Sequence, residues 1–198
     1  MNKMGQISII FRVYLKIKHF LWYIFNKHSF RSIEISSLFQ SNIRFDGREN
    51  ISIGKDVVVQ RGSWLGAVPL TGKSCLLEIK NGTIIGNYNH IYATSRIVIE
   101  ESVLLADKVY ISDCAHNYED INLPIIKQGV KQLSEITIGT GSWLGENVCI
   151  IGASVGKHCV IGANSVVTHD IPDYSIAVGS PAQIKKTYNF KTQKWERI

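Results

Sequence analysis

A six-residue repeat limits the possible folds of this chain more than any other feature of its sequence. Between residues 138 and 167 each unit opens with an aliphatic residue, and a small or β-branched residue stands four places later. The openers are Ile138, Leu144, Val155 and Ile161, each followed by Gly, and the small residues are Ser142, Val148, Cys159 and Ser165. A half-buried strand has a period of two and an amphipathic helix one of 3.6, so a period of six fits neither. It is typical of a parallel β-helix, in which each unit forms a short strand on one face of a triangular prism.

The same phase runs upstream through most of the chain. It predicts that the openers stack inside the prism from turn to turn and that the small residues fill the space beside them. The upstream openers are Ile53, Val59, Leu65, Ile79, Ile85, Ile91, Ile99, Leu105 and Ile111, and the small residues include Thr83, Asn89, Ser95, Val103, Val109 and Ala115. We predict a helical segment and connector at 1–45, a β-helix domain at 46–182 and a C-terminal tail at 183–198.

Composition and charge narrow the class of protein. The 198 residues, 45% hydrophobic and 19% charged, are the size of one folded domain. The four cysteines form no CxxC pair, which disfavours a disulfide framework or a zinc site and favours a reducing cytoplasm. The net charge is +6, but Lys and Arg concentrate at 3–31 and 185–197, outside the repeats, and their arrangement is not that of a base-stacking platform. Nucleic-acid binding is therefore disfavoured, and an anionic lipid or a phosphate-bearing cofactor explains the charge better.

Residues 1–30 have the pattern of an amphipathic helix. A polar stripe at helical spacing consists of Arg12, Lys16, His19, Tyr23 and Lys27, and the remainder is almost wholly apolar. These cations and Lys18 disfavour a transmembrane span, and no small-residue cleavage site marks a signal peptide. Two interpretations stay open. The helix caps the prism, lies in the inner-leaflet interface of the cytoplasmic membrane, or does both through different faces.

The repeat stops in a polar segment, where we predict a protruding loop at 114–135. Loops of this length in compact domains are commonly functional. His116 stands near its start, and an imidazole has the near-neutral pKa that a general base needs. Three carboxylates close in sequence are candidates to orient the ring: Asp113, Glu119 and Asp120. On the residues alone, an isolated loop His is more often only a polar surface residue.

Several motifs together resemble those of the hexapeptide acetyltransferases. They are the hexads, Ile111-Ser-Asp-Cys-Ala-His116, Trp143-Leu-Gly-Glu-Asn-Val, Ile161-Gly-Ala-Asn-Ser-Val-Val, Asp170-Ile-Pro and Gly179-Ser-Pro-Ala-Gln-Ile-Lys-Lys. The chain most resembles the branch that holds the maltose and galactoside acetyltransferases and the O-acetyltransferases of O-antigen and capsule synthesis. The resemblance implies an all-β, left-handed parallel β-helix and a homotrimer with each active site between two subunits.

The resemblance also implies an activity, which is acetyl transfer from acetyl-CoA to a sugar hydroxyl without a metal. His116 would take the hydroxyl proton, and a backbone N–H at Gly145 or Glu146 would stabilise the oxyanion. Asn87, rather than Asn89, is expected to contact the saccharide acceptor. The residues expected to bind CoA are Gly145, Glu146, Ala163, Thr168, His169, Lys185 and Lys186. A solvated tail is the plainer interpretation of the two lysines.

The chain departs from this family's pattern at three points. Cys114 stands where the O-antigen branch usually has a first His, a residue is missing after Ile150, and Gln183 replaces a frequent Arg. The sequence does not identify the sugar. Two alternatives remain: an N-acetyltransferase acting on an amino sugar or nucleotide-linked amino sugar, and a non-catalytic β-helix scaffold. A γ-class carbonic anhydrase is disfavoured because no two His are spaced for its zinc site.

Overall fold

The structure, a computed structural model, describes residues 9–70, 72 and 74–198. It is a left-handed parallel β-helix, as predicted, whose three sheets we call faces A, B and C. Face A contains β1 (Ser32–Ile33), β4 (Ile51–Ile53), β7 (Leu76–Ile79), β10 (Arg96–Ile99) and β15 (Ile136–Ile138). Face B contains β2 (Leu38–Phe39), β5 (Val58–Val59), β8 (Ile84–Ile85), β11 (Leu104–Leu105), β16 (Trp143–Leu144), β18 (Val160–Ile161) and β20 (Ser175–Val178). Face C contains β3 (Arg44–Asp46), β6 (Trp64–Ala67), β9 (His90–Ala93), β12 (Tyr110–Ser112), β17 (Cys149–Ile151) and β19 (Val166–Val167).

The remaining elements decorate this prism. Helix α1 (Ile9–Asn26) precedes it, and an antiparallel pair, β13 (Cys114–His116) and β14 (Val130–Gln132), leaves it. The C-terminal strands β21 (Gln183–Asn189) and β22 (Lys194–Arg197) extend face B in antiparallel sense. Short 3₁₀ turns occur at Lys27–Ser29, Arg48–Asn50 and Ile125–Lys127.

The predicted openers form the core. On face A, Ile53 pairs in register with Ile79, Ile79 with Ile99 and Ile99 with Ile138, so one aliphatic column runs through four turns. Every predicted opener is at most 1% exposed. Two small-residue assignments are wrong. Ser95 is half-buried because the register shift puts Thr94 inside, and Ala115 lies on the protruding strand β13.

Successive turns stack so closely beside Leu144 that the next position, Gly145, requires Gly. A Cβ on Gly145 would lie 2.7 Å from the backbone N of Ala163, closer than real Cβ contacts come. The turn itself is made two residues further on, where Asn147 adopts a left-handed backbone with φ of 57°. Asn tolerates this conformation better than most residues.

The prism begins before the predicted boundary at residue 46. Strand β1 already pairs with β4, and β2 with β5. This first turn has Phe39 and Phe45 where the next turn has the aliphatic openers Val59 and Leu65, so it does not match the hexad template. Its small interior residue is present nevertheless, because the buried Ser37 hydroxyl donates a 2.6 Å hydrogen bond to the Gly54 carbonyl.

Helix α1 caps the N-terminal end of the prism through one of its sides. The Trp22 ring packs against Phe39 at 5.0 Å and Phe45 at 6.3 Å between centroids. Arg48 Nη1 donates a 2.9 Å hydrogen bond to Asn26 Oδ1. Among the described residues, no helix is long and apolar enough to cross a membrane. The predicted stripe residues Arg12 and Lys16, and Lys3 before the helix, lie outside the residues whose side chains are described.

Candidate active site

The predicted loop at 114–135 is a hairpin, which we call the arm. Strands β13 and β14 form its base, and His116 pairs with Val130 in their antiparallel register. The arm leaves the prism at the corner where the chain would otherwise turn from face C to face A, which we call the C–A edge. His116 is exposed there. Its imidazole is therefore accessible to a substrate while its backbone is held by strand pairing.

Asp113 fixes the base of the arm. Its side chain is fully buried, and its carboxylate accepts hydrogen bonds from the backbone N–H groups of the preceding turn, at Thr94 (2.7 Å), Ser95 (2.8 Å) and Arg96 (2.9 Å). Its carbonyl oxygen accepts hydrogen bonds from Gln132 Nε2 and the Leu133 N–H, both at 2.8 Å. Both strands of the arm are thus tied through Asp113 to the turn above.

None of the three predicted carboxylates orients His116 in the described part of the chain. Asp113 is occupied as above. Glu119 pairs with Lys131 at 3.4 Å, and the Asp120 carboxylate accepts a 2.9 Å hydrogen bond from the Asn122 N–H. These acidic groups stabilise the arm itself instead.

The two candidate oxyanion donors differ in availability. The Gly145 N–H donates a 2.8 Å hydrogen bond to the Ile161 carbonyl of the next turn, which removes it as a donor to substrate. The Glu146 N–H has no partner among the residues described. The Glu146 side chain is half-exposed and pairs with Lys108 at 3.1 Å. Of the two expectations, only Glu146 remains.

Three predicted site residues share the corner between faces B and C, which we call the B–C edge. Backbone hydrogen bonds connect the turns there, from the N–H of Lys108 to Asn87 (2.8 Å), of Asn147 to Asp107 (3.1 Å) and of Asn164 to Glu146 (2.9 Å). Ala163 is exposed directly beside Gly145 at the same corner. Asn87, Glu146 and Ala163 therefore form one column.

The two asparagines considered for the acceptor have different roles. Asn89 is buried and satisfied, because its amide donates to the Ala106 carbonyl (2.9 Å) and accepts from the Val109 N–H (3.1 Å). Asn87 is half-buried, and its amide donates to Gln60 (2.9 Å) and Asp107 (3.1 Å). These bonds hold the Asn87 side chain in a defined orientation on the B–C edge.

The remaining CoA candidates lie elsewhere in one protomer. Thr168 and His169 are exposed on the C–A edge, where the Thr168 hydroxyl lies 3.0 Å from His169 Nδ1. Lys186 pairs in register with Ile176, so it lies on β21 beyond the last parallel strand of face B. Lys185 is exposed beside it. One protomer does not bring the predicted CoA residues into a single cleft.

Face C, the wall between the two edges, carries a stack of rings. The Arg44 guanidinium lies 4.1 Å from the Trp64 ring, which stacks on His90 at 4.1 Å with an interplanar angle of 9°. His90 Nε2 is buried without a hydrogen-bond partner in the described chain. Burial, and secondarily the Arg44 charge, lowers the pKa of the His90 imidazole below its ordinary value. The residues described contain no cluster of three or more His, Cys, Asp or Glu that could hold a metal.

Comparison with known proteins relates this geometry to a family. Residues 135–169 match the family model for the hexapeptide repeat of succinyl-transferase. Rv3034c of Mycobacterium tuberculosis, named as an acetyltransferase, is 40% identical over 121 residues, which are 61% of this chain and 39% of that protein. WbbJ of Escherichia coli, named for O-acetyl transfer in lipopolysaccharide biosynthesis, is 37% identical over 120 residues, which are 57% of this chain and 61% of that protein. The chain is related to the hexapeptide-repeat acetyltransferases.

A solved structure shares the fold of this chain. AntD, an N-acyltransferase from Bacillus cereus solved in complex with dTDP and 3-hydroxybutyryl-CoA, superposes with a TM-score of 0.71. The match covers 86% of this chain and 90% of that chain. At 18% identity, the similarity shows a shared fold alone. The chain spans less than two thirds of the length of either curated relative above.

The residues that the hexapeptide-acetyltransferase resemblance predicts for the site lie in two separate groups, which we call half-sites. The C–A edge carries His116 on its arm together with Thr168 and His169, whereas the B–C edge carries Glu146 and Ala163. Face C separates them. Sequence order does not predict this separation, because neighbouring segments lie on different edges of the prism.

Thr94 and Gln132 were missed by sequence reasoning. The Thr94 hydroxyl lies 2.9 Å from both the Asp113 carboxylate and the Gln132 amide oxygen, so it connects the preceding turn to both strands of the arm. The one signal in the sequence is an Asp three residues before His116, one of three candidates to orient the imidazole.

Proposed function

We propose that the protein transfers the acetyl group of acetyl-CoA to a hydroxyl of a saccharide unit in a bacterial surface polysaccharide, such as O-antigen, capsule or exopolysaccharide, or in its precursor. The observation that carries this proposal is an exposed His116 on an arm whose base is fixed by the buried Asp113. The relative WbbJ, named for O-acetyl transfer in lipopolysaccharide biosynthesis, supports the acceptor class.

The proposed chemistry needs one base and one hydrogen-bond donor. His116 takes the proton of the sugar hydroxyl as its oxygen attacks the thioester carbonyl. The Glu146 N–H stabilises the negative charge that develops on the carbonyl oxygen. When the intermediate collapses, the C–S bond breaks and the His116 imidazolium returns the proton to the departing thiolate. The products are an O-acetyl ester and CoA.

Acetyl-CoA is the proposed donor, held along the B–C edge. The exposed backbone at Ala163 is available to the pantetheine amides, and Lys185 and Lys186 offer charge to the phosphates. Thr168 and His169 would contribute from a second protomer. AntD, which has the same fold, was solved with an acyl-CoA bound.

A homotrimer would unite the two half-sites, with the B–C edge of one protomer facing the C–A edge of the next. The outer side of face B supports this assembly, because it presents an apolar column in register across the turns. Four of its members are 39–53% exposed: Leu38, Ile84, Leu104 and Trp143. An apolar column of this extent is typical of a protein interface.

Two experiments test the function. Purified protein should release CoA from acetyl-CoA only when a saccharide acceptor is present, and no turnover with any sugar would favour a non-catalytic scaffold. Deletion of the gene in its host should remove one O-acetyl group from the surface glycan by NMR, restored by the wild-type gene and not by the His116→Ala form. Loss of an N-acetyl group would favour the N-acetyltransferase alternative, and an unchanged glycan would contradict both. We place the reaction in the cytoplasm, where acetyl-CoA is available.

A further inference from the structure

The side of helix α1 that faces away from the prism is apolar. Ile17, Phe20, Leu21, Ile24 and Phe25, which we call the outer stripe, are 39–81% exposed. The opposite side is held to the prism by Trp22 on Phe39 and by His19 Nε2, 2.9 Å from the Ile35 carbonyl. The helix therefore directs much of its apolar surface outward, the reverse of an ordinary surface helix.

The charge of the chain is concentrated in the same segment. Residues 1–33 contain six of the 22 Lys and Arg and none of the 16 Asp and Glu. The rest of the chain has 22 − 6 = 16 basic and 16 acidic residues, so the whole formal charge of +6 belongs to this segment. Of its cations, Lys18 is exposed on the helix next to Ile17, and Arg31 is exposed after the end of the helix.

We propose that helix α1 binds the surface of an anionic lipid bilayer through the outer stripe. An apolar helix face flanked by Lys18, in a segment without acidic residues, suits the boundary between acyl chains and anionic headgroups. A second copy of the same stripe is a poorer partner, since pairing would bring two wholly cationic segments together. This inference does not depend on the proposed acetyl transfer. Because Trp22 packs against the prism on the opposite side of the helix, the prism would lie on the side away from the bilayer.

The test uses the full-length protein and flotation with vesicles of phosphatidylglycerol and phosphatidylethanolamine, compared with phosphatidylcholine alone. We expect binding to the anionic vesicles that weakens with salt. Phe25→Ser should weaken it about tenfold, because a Phe ring leaves the apolar region. Phe190→Ser is the matched control, since Phe190 is 64% exposed at the other end of the prism, and it should bind like wild type. Single substitutions are preferable to deleting the helix, which would also remove Trp22 from the cap.

Charge is tested separately. Lys18→Glu should weaken binding to anionic vesicles about tenfold or more, whereas Lys55→Glu, exposed elsewhere on the prism, should not. Vesicle binding that is absent, or equal in Phe25→Ser and wild type, would overturn the proposal. If Phe25→Ser dissociates an oligomer without changing vesicle binding, the proposal is also overturned, and the outer stripe is then a self-association surface.

Discussion

The carboxylate of Asp113 accepts a 2.7 Å hydrogen bond from the backbone N–H of Thr94, one turn earlier in the prism. Both residues are fully buried. The bond ties the first residue outside β12 to the turn above, at the point where the arm departs. The position of His116 therefore depends on a buried anion three residues before it.

Asp113→Asn should loosen the arm. The Asn amide would direct its own N–H groups at the backbone N–H groups of Ser95 and Arg96, which would then lack an acceptor. This loss should lower the unfolding free energy by roughly 2–4 kcal/mol. Urea denaturation measures this loss. In the folded variant, turnover should fall about tenfold to a hundredfold with little change in KM for acetyl-CoA, because His116 is no longer held in place. Asp56→Asn, at an exposed turn, is the matched control. Unchanged stability and turnover in Asp113→Asn would contradict the role of this bond.

Face B should be the subunit interface. Leu104→Glu places a charge in the middle of the apolar column, and we expect it to shift a trimer to monomer at micromolar concentration in sedimentation velocity. Leu70→Glu is matched in exposure, at 51% against 43%, but lies in the loop after β6, so it should remain trimeric. If wild type sediments as a monomer, the shared site between protomers is ruled out.

The His90 stack should make stability depend on pH. Because burial lowers the pKa of folded His90, the unfolded chain binds a proton that the folded chain does not. The stabilisation from neutral His90 is fully present above its ordinary pKa of 6.5 and is lost as pH falls below that value. His90→Gln should therefore lose less stability than wild type between about pH 7 and about pH 5 in urea denaturation. His28→Gln, exposed beyond helix α1, should behave as wild type. Equal acid sensitivity in all three would show that His90 titrates normally.

The hexad repeat was sufficient to predict which residues form the interior of the prism. Openers such as Ile79 and Ile99 are buried because the period of six brings each to the same interior column. The first turn was missed, since the aromatic Phe39 and Phe45 stand where the next turn has the aliphatic openers Val59 and Leu65. This turn is held by hydrogen bonds to the following turn, and local sequence spacing does not reveal such contacts.

The site was predictable only in part. The break in the repeat identified His116 and the arm, but not the contacts of Asp113 with Thr94, because these residues lie on different turns. The orientation of helix α1 was also beyond the sequence. An amphipathic pattern does not say which side meets the protein, and here Trp22 decides it by packing on the first turn.

The rate of acetyl transfer by His116→Ala tests the central claim most directly. CoA release should be measured with acetyl-CoA and a saccharide acceptor, alongside wild type and His28→Ala as a remote histidine control. If His116 is the general base, turnover of the folded variant falls by about 10²–10⁴ while KM for acetyl-CoA changes little. A His116→Ala protein that keeps the wild-type oligomeric state and turns over at a near-normal rate would contradict the proposed function of this site.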